Sequence, residues 1–458
     1  MKNKISILML GGMMAVASTA SAQHTTSGYF LDNYNFRYQM NPAFGNKHSF
    51  ATAAIGNINV AMRGTLHVSD LIYVRDGKTV LFTDPSVSSS FLNDMSSRPR
   101  LEANLNINLL SGGFNAWGGY NTVSINARAD IHAAVPKSLI RMMKEGITNK
   151  EYSFSDLAVS GQGFGEIAFN HSRDIPQVPG LRAGATVKFL LGVANFQAEA
   201  PETKVNLGVD NWTATTRADI YANLGGLRYK TDINDEGNPY VSGVDMNGSG
   251  SVGVNGFGMA FDLGASYDWN DFNFSLAFND IGWISYFNTK KASTNGSHSI
   301  SSNDYIFNVS DDKDVPHNAE AEWDRLTDDL SKLYDLQDNG DVGTRSVAMG
   351  TTMNVGIDYK LPYYRRLHFG LLSSTRFQGD FTWSEVRISA NVNPVDCFSA
   401  SVNGVFGSFG AGFGWLLNYY ARGVTVFLGM DNTLGTLTKQ GIPLNSNASV
   451  NFGISAVF

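Results

Sequence analysis

Residues 450–458 read Val-Asn-Phe-Gly-Ile-Ser-Ala-Val-Phe, and the chain stops on that ring. In an extended strand Val450, Phe452, Ile454, Ala456 and Phe458 share one face, while Asn451, Gly453 and Ser455 share the other. A strand oily on one side and small or polar on the other suits a wall with lipid outside and water inside. It also suits a half-buried strand of a soluble sandwich, so the rest of the chain has to decide.

Alternation recurs along nearly the whole length, which chance gives once but not a dozen times. Leu105, Ile107 and Leu109 oppose Asn104, Asn106 and Asn108; Val123, Ile125, Ala127 and Ala129 oppose Ser124, Asn126, Arg128 and Asp130. Leu181 to Phe189 and Phe257 to Tyr267 repeat it, with Lys188 and Asp262 among the polar positions. It continues through 272–278, 353–359, 367–377, 386–392, 400–406, 413–419 and 424–430. Such runs approach the roughly nine to eleven residues of a tilted membrane strand. Forty-seven glycines, 29 Phe, 18 Tyr and 7 Trp, with only 16% charged residues, describe a β-rich chain with many tight bends. A mean hydropathy of −0.14 fits a wall whose inner polar residues offset its outer apolar ones.

The connections test this independently, because outer-membrane barrels keep short turns in the periplasm and long loops outside. Counting back from a C-terminus placed in the periplasm, the short turns near 420–423, 393–398, 361–366, 268–272, 173–180 and 112–121 all fall on that side. The long connections, roughly 63–100, 136–162, 195–250, 286–344 and 432–446, fall on the other. The count is about 14 strands, with both termini in the periplasm. Residues 212–221 and 227–231 leave open an outer hairpin or two further wall strands; sixteen would keep the parity.

Lys2 and Lys4 precede an apolar stretch from Ile5 to Val16, and Ala20-Ser21-Ala22 offers a small-residue cleavage site, so residues 1–22 read as a secretory signal cut after Ala22. Losing it removes two lysines and no acid, moving the formal charge from −7 to −9 and arguing against nucleic acid as a partner. No later stretch approaches the roughly 18–20 consecutive apolar residues of a membrane helix. The single Cys397 excludes an internal disulfide framework.

Residues 311–341 carry eleven acids against three bases. Within them Trp323, Leu326, Leu330 and Leu333 recur at helical spacing, so a helix from 319 to 336 would show an apolar stripe and an acidic back. It reads either as a partner-docking, cation-binding or lid element outside the cell, or as a helix packed on the barrel rim. Residues 137–145, with Leu139, Ile140, Met142 and Met143, form a second helical lid candidate. Loops starting at Asp232, Asp245 and Asp335 imitate an EF-hand, but their twelfth positions hold Gly243, Gly256 and Ser346, so no metal is expected. None of the eight histidines stands in H-x-x-x-H spacing and no G-x-S-x-G elbow appears. No catalytic residue and no cofactor is assigned; a rim enzyme assembled from separated residues stays open.

Ahead of the first strand lies Tyr38-Gln39-Met40-Asn41-Pro42-Ala43-Phe44. Pro42 pushes Asn41 away from helix, and an Asn side chain bonds nearby backbone, giving a firm bend. With Tyr29-Phe30, the Asn41-Pro42-Ala43 element, about 14 strands and the closing strand with Phe452, Ile454 and terminal Phe458, the chain resembles the FadL-like superfamily of fatty-acid and hydrophobic-compound transporters. It is most similar to Bacteroidota proteins with a DUF5723 domain, with PorV-type secretion barrels of like outline. The resemblance implies an outer-membrane location and lipid around the wall. It implies insertion by the barrel-assembly machinery and a hatch-like segment, 23–48, inside a barrel spanning 49–458. The expected function is binding or passage of a hydrophobic small molecule through an apolar pocket inside the outer mouth; the alternative is a non-transporting scaffold gripping a surface protein partner through its loops.

Overall fold

The computed structural model describes residues 25–53, 55–75, 78–145, 151–207, 212–225, 228–233, 239–245, 253–294, 297–300, 325, 336–433 and 447–458. The expected signal at 1–22 and the stripe of Trp323, Leu326, Leu330 and Leu333 lie outside these residues.

Fourteen antiparallel strands close into a ring. β1 comes in two pieces, Phe50–Ala53 and Ile58–Gly64, and is followed by β2 (Arg100–Ala116), β3 (Gly119–Ala134), β4 (Leu157–Asp174) and β5 (Leu181–Leu207). Then come β6 (Gly256–Trp269), β7 (Phe272–Tyr286), β8 in two pieces (Arg345–Ala348 and Thr351–Lys360), β9 (Leu367–Phe377) and β10 (Trp383–Val395). β11 (Phe398–Gly407), β12 (Gly410–Ala421), β13 (Val424–Met430) and β14 (Ala448–Val457) complete the wall. Neighbours in sequence pair, and β14 returns to β1 with Phe50 opposite Val457 and Ile58 opposite Phe452. Closure leaves no unpaired strand edge facing lipid, where an unsatisfied backbone group is costly.

Along β14 buried and exposed positions alternate. Phe452, Ile454 and Phe458 point outward, and Asn451 and Ser455 point into the ring. Phe189, Leu263, Leu371, Ile388, Val402 and Leu428, from six strands, stand exposed on the same outer surface. An apolar girdle of that extent is a liability in water and the matching face in lipid. None of the described helices is long and apolar enough to cross a membrane. The protein is an outer-membrane barrel. Replacing Ile388, midway along β10, by arginine is expected to cost roughly 2–4 kcal/mol of folding free energy. Urea titration of folding into lipid vesicles reads that loss; Ser389→Arg, on the inward face, tests lumen packing instead.

Six turns at one end are short. Trp117-Gly118 has positive φ at both residues, 54° and 70°, the backbone that matches the twist of a two-residue hairpin. The opposite end, the mouth, carries the long connections, although β9–β10 and β11–β12 also turn tightly there. The two extra wall strands do not occur. Residues Trp212–Leu224 pair with the upper part of β5 and with Lys290–Thr294, above the level where Gly184 of β5 meets Gly264 of β6. Arg228–Ile233 and Pro239–Asp245 form a hairpin of their own. At the mouth the helix α1 (Lys137–Glu145) buries Leu139 and Ile140 against Leu66, Phe82, Leu92, Tyr152 and Phe154, so the first two long connections share an apolar core.

Candidate functional site in the lumen

Residues 25–47 have only two single-turn helices, Thr26–Gly28 and Arg37–Gln39. Irregular backbone shut away from water needs partners for its donors and acceptors. Inward asparagines of the wall supply them. Asn279 of β7 and Asn354 of β8 both donate Nδ2–H to the Met40 carbonyl, at 2.8 and 2.9 Å. Asn170 of β4 donates to the Pro42 carbonyl at 3.1 Å, and Asn418 of β12 to that of Asn33 at 3.0 Å. Asn57 and Asn59 of the β1 region donate to Gln39 and Thr25, both at 3.1 Å, and Asn35 donates to Ser455 of β14 at 2.9 Å. Contacts to strands all round the ring place this segment inside the barrel.

Asn41, Pro42 and Ala43 sit where the segment meets the wall most closely. Asn41 Oδ1 accepts the Ala43 N–H at 2.9 Å, closing a local turn, while its Nδ2 donates to the Ala265 carbonyl at 3.2 Å. Arg182 Nε donates to the Ala43 carbonyl at 2.8 Å. Gly184 and Gly264 face each other across β5 and β6, and their missing side chains make the slot. A Cβ on Gly264 would lie 2.1 Å from Asn41 Oδ1, and one on Gly184 2.1 Å from the Pro42 oxygen. Gly356 and Gly370 likewise make room for the rings of Tyr29 and Phe30.

Tyr29, Phe30, Tyr34, Phe36, Tyr38 and Phe44 are all buried in one cluster with Tyr120 and Phe427 of the wall. Tyr34 meets Phe427 edge to face at 4.9 Å and Tyr29 meets Phe44 at 5.2 Å. Each buried ring stabilises the arrangement by roughly 1.5–3 kcal/mol. Burial pushes the Tyr34 and Tyr38 phenols well above their usual range, so both act as neutral hydroxyls at physiological pH.

Just mouthward lies a layer of buried charge. Arg128 of β3 holds Glu166 at 2.7 Å and grips both oxygens of Asp280 at 2.9 and 2.8 Å. Lys188 of β5 bonds Asp280 at 2.7 Å and Asp262 at 2.8 Å. Two cations face three carboxylates with little solvent between. Nearby, Arg387 bonds Glu385 at 2.8 Å and the Asp431 carbonyl at 2.9 Å, and Asp431 accepts the Ser27 N–H at 2.6 Å. Above this layer a cavity of about 310 Å³ opens among β3, β4, β5, β8 and the β9–β10 turn.

In the sequence Arg128, Lys188 and Asp262 stand out only as polar positions in alternating strands, and nothing local marks Asp280. The available signal was charge at lumen parity, since a charge in a barrel wall that faces inward needs a partner there. Asp280 has φ 61° at an irregularity where β6 and β7 shift register, so it and Asn279 both turn inward. Among the described residues no group of His, Cys, Asp or Glu is arranged to hold a metal.

The model of a family of unknown function, DUF5723, matches residues 42–431. The chain belongs to this family. The DUF5723 match thus begins at Pro42, inside the lumen, and runs to Asp431. No curated protein matches the sequence. Solved structures similar to this DUF5723 chain include the Pseudomonas putida toluene transporter TodX, 8% identical, with 96% of this chain and 94% of that one covered at a TM-score of 0.38. A Pseudomonas aeruginosa FadL homologue is also 8% identical, with 96% of each chain covered at a TM-score of 0.35.

Proposed function

We propose that this DUF5723 barrel is an outer-membrane channel for a small molecule, held shut by its own N-terminal segment. The observation that carries the reading is the way residues 25–47 are held: by side-chain hydrogen bonds and ring packing, in a lumen that the wall glycines shape around them. Contacts of that kind break singly, whereas pairing into the sheet would have to break as a unit. The segment also touches the interruption in β1 through Asn57 and Gln39. Its movement is therefore coupled to β1, the strand that closes the ring against β14. An oily cargo calls for an apolar pocket inside the mouth. There, apolar side chains of the first two loops are packed on each other, and the cavity beside them sets Val159, Val347, Met349, Phe377 and Phe381 among acids and amides. Such a lining suits a small molecule with both an apolar and a polar face.

Cysteines in place of Asn35 and Ser455, in a Cys397→Ser background, test the gate. The oxidised barrel should show no solute flux in proteoliposomes, and reductant should restore it. Equal flux in both states removes the segment as a gate, and no flux in either state favours the scaffold alternative.

A further inference from the structure

We propose that the β9–β10 turn is a strap pinned across the mouth, and that it sets the largest solute the barrel admits. The proposal rests on the channel reading above and adds a size filter separate from the N-terminal segment.

β3 and β9 stand six places apart in a ring of fourteen, almost opposite each other. Side chains fill the interior of a barrel of about eight strands, and the bore widens with each strand added. Opposite walls of this barrel therefore meet only where one of them sends backbone inward. Pairing of β9 with β10 ends at Arg376 and Trp383, and the turn between them crosses the mouth. Phe381 is buried against Ala134 at the end of β3 and Ala158 at the start of β4, with its ring 5.1 Å from that of His132. The Gln378 amide donates to His132 Nε2 at 3.0 Å. Arg376 Nε, which can only donate, holds the oxygen of that amide at 2.6 Å and so fixes its orientation. Arg98, ahead of β2, donates to Asp380 at 3.0 Å, and Arg100 donates to the Thr382 carbonyl at 3.1 Å. Gln378, Asp380, Phe381 and Thr382 thus all touch the far wall.

The backbone of the turn is satisfied within the turn itself. Phe381 and Thr382 donate N–H to the Gln378 and Gly379 carbonyls at 3.0 and 3.1 Å, and the Gln378 N–H reaches Thr382 Oγ1 at 3.1 Å. Side chains, and no strand pairing among the described residues, join it to β2 and β3. The strap can therefore leave the far wall as a unit, with only the Thr382 carbonyl losing its Arg100 donor. Gly379 forms its free crest, with φ 53° and nothing within 4 Å of an added Cβ. Phe377, Gln378, Gly379, Asp380 and Phe381 also make one side of the 310 Å³ cavity, so the position of the strap fixes the width of the passage beside it. Pore width, with the groups lining it, decides what a channel passes.

Swelling of proteoliposomes carrying the full chain, in arabinose, sucrose and raffinose, reads the cut-off. The wild-type barrel should admit arabinose and exclude raffinose. Phe381→Ala, and separately Arg98→Ala with Arg100→Ala, should raise raffinose entry at least about fivefold while changing arabinose entry by less than about twofold. Arg98 and Arg100 are only half-buried, so their variant keeps the test decisive if Phe381→Ala loses the heat-modifiable gel shift of the folded barrel. Arg98→Cys with Asp380→Cys in a Cys397→Ser background, bridged by a short bismaleimide, should exclude raffinose even with Phe381→Ala present. Raffinose entry into wild-type vesicles, or raffinose exclusion that neither unpinned variant relieves, overturns the filter and leaves the gate of residues 25–47 standing as long as arabinose enters. Exclusion of every sugar by every form overturns the channel reading, and the filter falls with it.

Discussion

Replacing Gly184 and Gly264 together by valine is expected to drive residues 25–47 out of their slot and turn a closed barrel into an open pore. A Cβ on Gly184 would stand 2.1 Å from the backbone oxygen of Pro42, and one on Gly264 would meet Asn41 Oδ1 with the rigid Pro42 ring behind it at 2.8 Å, so the turn has little room to give. The wall has no freedom to retreat, since both glycines sit in paired strands directly opposite one another. Overpacking of this kind costs roughly 1–3 kcal/mol per site. Two sites together shift the balance between seated and released segment by about thirtyfold or more. Single-channel recording in planar bilayers should show steady conductance, and protease added to the solubilised barrel should remove the N-terminal segment. Gly404→Val, where the added Cβ meets nothing nearer than the Phe406 ring at 3.5 Å, should behave as wild type. A double variant that stays closed and protease-resistant would show that the segment is held by something other than the slot.

The second large effect belongs to Asp280. Asp280→Ala leaves Arg128 and Lys188, both buried, with two carboxylates in place of three, and removes three charge-assisted hydrogen bonds at 2.7–2.9 Å. Breaking one member out of a buried ionic cluster costs roughly 3–5 kcal/mol, because the charges left behind cannot recover their water. The midpoint of urea unfolding in detergent should fall accordingly. Asp174→Ala provides the contrast. Its partner Arg182 lies at 3.1 Å, but the Asp174 side chain is 83% exposed, and an ion pair of that kind is worth about 0–1 kcal/mol. Equal losses in the two variants would mean that the lumen is wet enough to screen its charges.

The barrel was legible because its signal is repeated. Each wall strand alternates by the same rule for a physical reason acting on all of them, lipid on one side and the lumen on the other. The short turns sorted by side because a hairpin is built from local residues such as Trp117 and Gly118. Residues 212–221 could not be assigned to wall or mouth from sequence, because a strand rising beyond the membrane alternates as well as one within it. The Asn41-Pro42-Ala43 turn was legible as a bend, since Asn41 bonds its own backbone two residues on. Its seat was not legible, because Gly184 and Gly264 lie far along the chain and read there as ordinary strand glycines.

Asp280 marks the boundary most clearly. By the parity of Phe272, Phe274 and Leu276, an unbroken β7 would aim residue 280 outward into lipid, where a carboxylate is costly. The irregularity at Asn279 and Asp280 reverses that parity, and beyond it Ile281 and Trp283 face outward. Sequence alone determined that this protein closes a lipid-facing ring, because that depends on a local period of two written many times over. Only the tertiary structure decided what fills the ring, because Arg128, Lys188, Asp262 and Asp280 come from four strands and meet only when register and closure bring them face to face.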